Sequence, residues 1–233
     1  MAKRNMSLKD VLPRLAAIFE PLDDAERETL SKHIRIQTFK KNEIIYGENT
    51  EATDLHCLIS GKVKIYKDGV GGRTQIMRVI RPVDYFGYRA AFAGEDYVTS
   101  AAAFEVSTIV KIPMQVIISL IQENATLACF FIRQLSMDLG QADERTVNLT
   151  QKHIRGRLAE SLLFLKERYG VEEDGATLSI YLSREDLANL SNMTTSNAIR
   201  TLSNFANERL IAIDGRKIKL IEEGKLEKIS RIG

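Results

Sequence analysis

The stretch from Leu182 to Leu210 constrains the fold most, because it joins two short helical patterns through a tight turn. Ser183 is followed three residues later by Asp186, a spacing that caps the start of a helix. Asn192 stands where a helix commonly ends in the left-handed conformation, which Asn tolerates second only to Gly. Thr194 then restarts the chain as a helix cap. The pattern predicts two helices at a short turn.

The second of these helices has one apolar face and one polar face. Its apolar residues recur at helical spacing and should point inward: Ala198, Leu202, Phe205 and Ala206. The opposite face carries small polar side chains and one guanidinium: Thr195, Ser196, Asn197 and Arg200. Such a face can enter a DNA major groove, where Arg donates two hydrogen bonds to guanine. The alternative is an ordinary helical hairpin with a solvated polar face.

The segment after Leu210 favours the DNA-binding interpretation. The sequence IAIDGRKIKLIE alternates and is broken by Asp214-Gly215, which is a strong hairpin signal. Arg216, Lys217 and Lys219 add positive charge to that hairpin. We therefore predict a winged DNA-binding domain with contacts from seven residues: Ser183, Thr194, Thr195, Ser196, Asn197, Arg200 and Lys217.

Net charge gives little support by itself. The whole chain is only +2, and residues 151–233 hold 14 basic and 12 acidic side chains. Affinity for DNA should therefore come from a local basic patch. The acidic residues Glu172, Glu173 and Asp174 are expected to lie away from the reading face.

Two cysteines without a CxxC spacing argue against a disulfide framework, a zinc ribbon and a four-cysteine iron–sulfur cluster. The N-terminus lacks the apolar core of a signal peptide, and no apolar run is long enough to span a bilayer. We expect a reduced, cytoplasmic protein without a membrane partner.

The N-terminal half changes its hydrophobic period. Helical spacing runs from Leu8 to Ile36, and Asp23 or Asp24 can cap a helix that ends near His33. From Phe39 onwards, short apolar runs are separated by glycines, which is typical of an antiparallel barrel or sandwich. Within it, KVKIYKDGVGGRTQIMRVI predicts one hairpin.

Helical spacing returns after Pro113 with a long apolar stripe: Leu127, Phe131, Leu135, Leu139 and Ala142. Two copies packed along this stripe would bury it, as in a coiled coil. The alternative is a helix packed wholly within one chain. Pairing would also place two recognition helices about 34 Å apart, one turn of DNA.

The order of these parts resembles the CRP/FNR family of bacterial transcription regulators. The resemblance rests on FKKNEIIYGEN, LISGKVKIY, HIRGRLAESLLFL and LSREDLANLSNMTTSNAIRTLSNFANERLI. It implies an α+β fold: an antiparallel jelly-roll barrel of the cyclic-nucleotide-binding type with N-terminal helices (residues 1–122), a long dimerisation helix (123–152) and a winged helix-turn-helix domain (153–233).

The resemblance also implies function. Members bind palindromic double-stranded DNA as homodimers, and an activator would contact RNA polymerase. Arg200 falls on the family's guanine-reading arginine and Thr194 on its phosphate-contacting cap. Ser196 replaces a glutamate that accepts from cytosine in the best-known members, which predicts an altered preference beside the guanine.

The resemblance places an effector site in the barrel. Cyclic-AMP-binding members use a Gly-Glu pair after a strand, an Arg-Ser pair about ten residues on, and hydroxyls from the long helix. The corresponding positions here are Phe86, Gly87, Tyr88, Arg89, Thr99, Ser100, Ala142 and Asp143. Tyr88 replaces the glutamate, no arginine precedes Ser100, and the carboxylate of Asp143 would repel a cyclic phosphate. We therefore expect an effector other than cyclic AMP.

Other interpretations stay open. A haem-based gas or redox sensor of the same fold could use His33, His56, His153 or the cysteines, although His56 and Cys57 should point to opposite faces of a strand. Cys129 is expected to be buried packing. A ligandless regulator controlled by its expression level, or a barrel that binds a small ligand without DNA, are further alternatives. With only His56 in the barrel stretch and no nucleotide-binding loop, we expect neither a metal site nor catalysis.

Overall fold

The computed structural model describes residues 7–232, which form two compact units. The first unit comprises residues 7–67 and 77–139, and the second comprises residues 68–76 and 140–232. The units divide within the long helix, between Leu139 and Gly140, and at both ends of residues 68–76.

The first unit opens with short helices: α1 (Leu8–Val11), a 3-10 turn (Leu12–Leu15), α2 (Ala16–Phe19) and α3 (Asp24–Lys32). Asp23 caps α3 as predicted, because its carboxylate accepts from the Glu26 backbone N–H at 2.8 Å. Glu26 accepts in return from the Asp23 N–H at 2.8 Å. This reciprocal pair satisfies two orphan donors and fixes where the helix begins.

Eight strands then form two four-stranded sheets with the orders β1-β8-β3-β6 and β2-β7-β4-β5. Their bounds are β1 (Arg35–Phe39), β2 (Ile44–Tyr46), β3 (Asp54–Ser60), β4 (Val63–Asp68), β5 (Thr74–Ile80), β6 (Tyr85–Phe86), β7 (Ser100–Ala103) and β8 (Ser107–Pro113). The predicted barrel and the β4–β5 hairpin are confirmed. The extended segment begins four residues before Phe39, because β1 lies at a sheet edge and its mostly exposed residues lack an alternating pattern.

Strand β3 divides the core into two clusters. Leu55, Cys57 and Ile59 pack with the N-terminal helices, whereas Leu58 packs inside the barrel with Phe86. The His56 ring stacks on Phe86 at 5.1 Å between centroids. His56 and Cys57 therefore face opposite sides, as predicted for neighbours on a strand.

After the short helix α4 (Tyr88–Ala93) and the barrel, two helices follow: α5 (Met114–Glu123) and α6 (Ala125–Gln151). The helical spacing predicted after Pro113 belongs to these two helices, whose axes bend by 120° at Asn124. Asn124 donates from Nδ2 to the Pro21 carbonyl at 2.8 Å and accepts from the Leu127 N–H at 3.0 Å. Its side chain thus ends one helix and begins the next.

The second unit contains a winged helix-turn-helix: α7 (Ile154–Tyr169), α8 (Arg184–Leu190), α9 (Thr195–Asn207), β9 (Ile211–Asp214), β10 (Lys217–Leu220) and α10 (Glu223–Ile232). The sequence analysis did not identify α10, which packs against α7. Lys166 on α7 and Glu223 on α10 form an ion pair at 2.5 Å.

Among residues 7–232, no single helix has the length and apolar character needed to cross a membrane; α5 and α6 reach that threshold only when taken together across their bend.

Candidate DNA-binding surface and effector site

The turn between α8 and α9 has the predicted geometry. The Ser183 hydroxyl accepts from the Asp186 backbone N–H at 3.0 Å and so caps α8. Leu187 and Leu190 are buried beneath it. Asn192 has φ +51°, the left-handed conformation predicted for this position.

Helix α9 presents its first turn to solvent. Thr194 caps the helix, since its hydroxyl accepts from the Asn197 N–H at 3.2 Å. Thr195, Ser196 and Arg200 are exposed and Asn197 is partly exposed. Ala198, Leu202 and Phe205 are buried on the opposite side, so the predicted division of the two faces is confirmed.

The same surface includes Ile199, which sequence reasoning missed. The Ile199 side chain is 49% exposed, because it lies outside the buried apolar face of α9. An apolar residue outside the buried spacing of α9 was the available signal. A branched aliphatic side chain here can contact a thymine methyl group.

The wing differs from expectation in its electrostatics. Lys217 Nζ lies 3.3 Å from the Glu172 carboxylate and 5.4 Å from the Tyr181 ring centre, and Lys219 Nζ lies 3.2 Å from Asp174. These contacts place the acidic segment beside the wing, a surface that the prediction about the reading face of α9 did not cover. A β-bridge between Thr177 and Lys219 brings the acidic turn beside β10.

Asp174 also stabilises that turn. Hydrogen bonds from the backbone N–H groups of Thr177 and Ala176, and from the Thr177 hydroxyl, hold the pKa of Asp174 well below its usual range. The carboxylate is therefore charged at neutral pH and partly neutralises Lys219.

An arginine on α6 holds the second unit together. Arg145 Nη2 donates to the Ile76 carbonyl at 2.6 Å and to the Leu190 carbonyl at 2.9 Å. Arg73 donates to the side-chain oxygen of Asn192. Burial lowers the pKa of Arg145. These hydrogen bonds hold residues 68–76 against the turn between α8 and α9.

Two of the predicted effector positions, Gly87 and Tyr88, lie at the start of α4. Gly87 has φ +87° and starts α4, and an added Cβ would lie 2.7 Å from His56 Nδ1. The Tyr88 ring is buried, and its hydroxyl donates to Asp138 Oδ2 at 3.0 Å. Arg78 Nη1 donates to the same oxygen at 2.7 Å. Burial, followed by the charge of Asp138, raises the pKa of Tyr88.

The carboxylate that α6 brings to Tyr88 is therefore Asp138. The sequence placed Asp143 there, but Asp143 and Ala142 are exposed, more than one helical turn further along. Counting along the helix could not show where it passes the barrel, because that position depends on the bend at Asn124.

The other effector positions diverge. Phe86 is buried in the barrel core rather than at a polar site. Arg89 is exposed, with Nη2 3.5 Å from Glu95. Ser100 accepts from the Glu48 N–H at 2.9 Å, which commits its hydroxyl to the barrel wall.

Tyr46 is a residue of this site that the sequence analysis missed. Burial raises its pKa to about 12, opposed by a hydrogen bond with Thr99 and by the charges of Arg78 and Arg89. The arginine at position 78, between the apolar residues Met77 and Val79, was the available signal.

The predicted dimer stripe needs correction. Leu127 and Phe131 are buried in the core of their own unit, and Leu135 packs against the same cluster. Leu127 and Phe131 are therefore unavailable to a second chain, whereas Leu135 is only partly buried. Leu139 is 64% exposed, together with Ile132 and Val147. We define the exposed α6 stripe as Ile132, Leu139 and Val147.

The cysteines and histidines do not assemble a further centre. Cys57 is buried, but Cys129 is exposed, which corrects the prediction that it is core packing. His33 and His153 are exposed. Among residues 7–232, no three His, Cys, Asp or Glu side chains are grouped so that they could hold a metal ion.

A jelly-roll barrel followed by a winged helix-turn-helix defines a class of DNA-binding regulator, and comparisons agree. The cyclic nucleotide-binding domain family matches residues 36–124, and the Crp-like helix-turn-helix domain family matches residues 156–229. The chain belongs to the CRP/FNR family of transcription regulators.

Relatives match over most of their length. A CRP-like cAMP-activated global transcriptional regulator of Mycobacterium tuberculosis is 24% identical over 225 residues, covering 96% of this chain and 100% of that protein. Nitrogen fixation regulation protein FixK of Azorhizobium caulinodans is 27% identical over 194 residues, covering 82% of this chain and 77% of that protein. The structure of FixK2 from Bradyrhizobium japonicum has a TM-score of 0.77 at 23% identity, covering 84% of this chain and 96% of that one.

Proposed function

We propose that this regulator binds a palindromic DNA site as a homodimer and reads it with the first turn of α9. The observation that carries the proposal is the exposed cluster of Thr195, Ser196 and Arg200 around the Thr194 cap. The free N–H groups of a helix start favour phosphate, and the side chains can reach base edges.

Within this surface, Arg200 reads guanine through its O6 and N7 atoms. Asn197 orients it, because its side-chain oxygen accepts from Arg200 Nη2 at 2.9 Å. Ile199 adds a preference for thymine through its methyl group. Ser183, Thr194 and Lys217 contact phosphates and so contribute affinity without sequence preference.

Dimerisation uses the exposed α6 stripe. Its residues recur at spacings of seven and eight, so they lie along one side of a 27-residue helix. Large aliphatic side chains exposed in a row gain free energy when a second copy covers them. Pairing of two such helices would place two copies of α9 about one turn of DNA apart.

Cyclic AMP is not the signal in this proposal. The Mycobacterium tuberculosis relative is named as cAMP-activated. In this chain the corresponding site holds Tyr88 bonded to Asp138, and no arginine precedes Ser100. A cyclic phosphate would meet a carboxylate there. We further propose that the protein acts in the cytoplasm and without catalysis.

The test is selection of bound duplexes from a randomised library, followed by footprinting. The expected result is a two-fold palindrome with a guanine in each half-site. A single asymmetric site, or no enrichment over the starting library, would contradict the proposal. Analytical ultracentrifugation of the free protein should show a dimer; a monomer both free and on DNA would remove the two-fold mechanism.

A further inference from the structure

One carboxylate joins three separate elements of the barrel unit. Asp138 comes from α6, Arg78 from β5 and Tyr88 from the start of α4. Arg78 Nη1 and the Tyr88 hydroxyl both donate to Asp138 Oδ2, at 2.7 and 3.0 Å. An effector that couples the barrel to the long helix would have to bridge these same elements.

The bridge is shielded from solvent and packed. The Asp138 and Arg78 side chains are only 22% and 34% exposed. The Tyr88 ring makes edge-to-face contacts with Phe131 of α6 and Phe92 of α4, at 5.6 and 6.2 Å between centroids. Hydrogen bonds to an ionised group in such surroundings are stronger than those of an exposed ion pair.

We propose that Asp138 is a built-in ligand of the barrel. Its carboxylate takes the place of an effector's anion, so the barrel and α6 are coupled when no small molecule is bound. This inference rests on the proposed function, because its consequence is a regulator that binds DNA without an effector. Control would then lie in the amount of protein or in whatever breaks the Arg78–Asp138 pair.

The charges around the pair favour the built-in ligand over cyclic nucleotides. A cyclic phosphate could bind Arg78 only by displacing Asp138, which would leave a carboxylate beside the incoming negative charge. Arg89 offers no free anion site nearby, because its side chain is more than half exposed and its Nη2 lies 3.5 Å from Glu95.

The experiment measures binding to the selected duplex with and without cyclic AMP or cyclic GMP. The wild-type affinity should not change with either nucleotide. Asp138→Ala should bind about tenfold more weakly, the ratio expected when one charge-assisted hydrogen bond of the competent state is lost. Glu144→Ala, which removes an exposed carboxylate from the same helix, is the matched control and should bind like wild type.

Formate tests the role of the missing carboxylate directly. Sodium formate should restore Asp138→Ala towards wild-type affinity, whereas sodium chloride at equal ionic strength should not, because salt alone weakens DNA binding. Asp138→Asn keeps the shape of the side chain but loses its charge, so it should also bind DNA more weakly than wild type. It replaces Asp138→Ala in the test if the alanine variant does not fold.

The outcomes that overturn this inference differ from those that overturn the proposed function. Wild-type affinity for Asp138→Ala, or a wild-type affinity that rises with a cyclic nucleotide, would exclude a built-in ligand. A wild-type protein that binds no duplex would exclude the proposed function. In that case thermal unfolding still decides, since formate should raise the midpoint of Asp138→Ala and a cyclic nucleotide should not raise that of wild type.

Discussion

Arg200 Nη2 donates to Asn197 Oδ1 at 2.9 Å, across one turn of α9. The Asn197 backbone N–H in turn donates to the Thr194 hydroxyl. The helix cap and the exposed guanidinium are therefore connected through one asparagine. This arrangement restrains Arg200 before DNA arrives, which lowers the conformational entropy lost on binding.

Replacing the guanidinium should affect one base pair. Arg200→Ala should cost about 1–3 kcal/mol on the selected site and relax the preference at one position. Competition binding against duplexes with each base at that position measures both effects. Asn204→Ala, an exposed change further along α9, is the control. Equal losses on cognate and random DNA would instead make Arg200 a phosphate contact.

The wing should show opposite effects for two partners. Lys217→Ala should weaken binding to all sequences and reduce the salt slope by about 0.9, the value for one phosphate contact. Glu172→Gln should strengthen binding, since the carboxylate 3.3 Å from Lys217 no longer competes with phosphate. Titrations at several salt concentrations measure both. Unchanged slopes for both variants would exclude the wing from the DNA interface.

Dimerisation should depend on the exposed α6 stripe. Leu139→Glu should give monomers in sedimentation velocity, because two buried carboxylates would face each other without partners. Met137→Glu is the matched control: its side chain is also exposed but lies on another side of α6. A dimer that survives Leu139→Glu would place the interface elsewhere.

Alanine substitutions at two glycines with left-handed backbones should distinguish the cost of backbone strain from the cost of a steric clash. Gly94→Ala should destabilise the fold by about 1–2 kcal/mol, the cost of this conformation for a residue with a Cβ. Gly87→Ala should cost about 1–3 kcal/mol more, because its Cβ would lie 2.7 Å from His56 Nδ1. Denaturant unfolding compares them. Equal losses would show that the His56 ring moves aside freely.

Acid should destabilise the barrel through His56. Burial lowers the pKa of His56 to about 3, followed by the repulsion of Lys111. In the unfolded chain the pKa of His56 is near 6.5, so below that pH the unfolded state binds a proton that the folded state does not bind. The free energy of unfolding is therefore unaffected by His56 above about pH 6.5. It falls as the pH is lowered towards 3, by at most about 1.4 kcal/mol per pH unit.

His56→Gln tests this pH dependence. The variant should show a smaller loss of unfolding free energy between neutral pH and pH 4, measured by denaturant titration at each pH. His33→Gln changes an exposed histidine and should leave the slope as in wild type. An identical slope in the His56 variant would assign the acid sensitivity to carboxylates.

The features that sequence predicted well are local ones. Capping by Asp23, Ser183 and Thr194 depends on a side chain and a backbone N–H three residues away, so spacing alone identifies it. The left-handed Asn192 is equally local. These features are enough to locate α9 and its exposed face.

The features that sequence missed depend on which element covers which. Periodicity showed that α6 has apolar residues along its length, but not that Leu127 and Phe131 belong to the barrel core while Leu139 is exposed. The meeting of Asp138 with Arg78 likewise joins residues 60 positions apart. Contacts of this kind follow from tertiary packing and leave no trace in local spacing.

Residues 68–76, which include the tip of the β4–β5 hairpin, group with the DNA-binding part of the chain, and Arg145 donates to the carbonyls of both Ile76 and Leu190. A chimaera joined within α6 would take its barrel from one relative and its DNA-binding domain from another. In this protein such a graft would import a foreign hairpin tip beside the turn before α9. A working transplant must carry the native tip across with the recipient half.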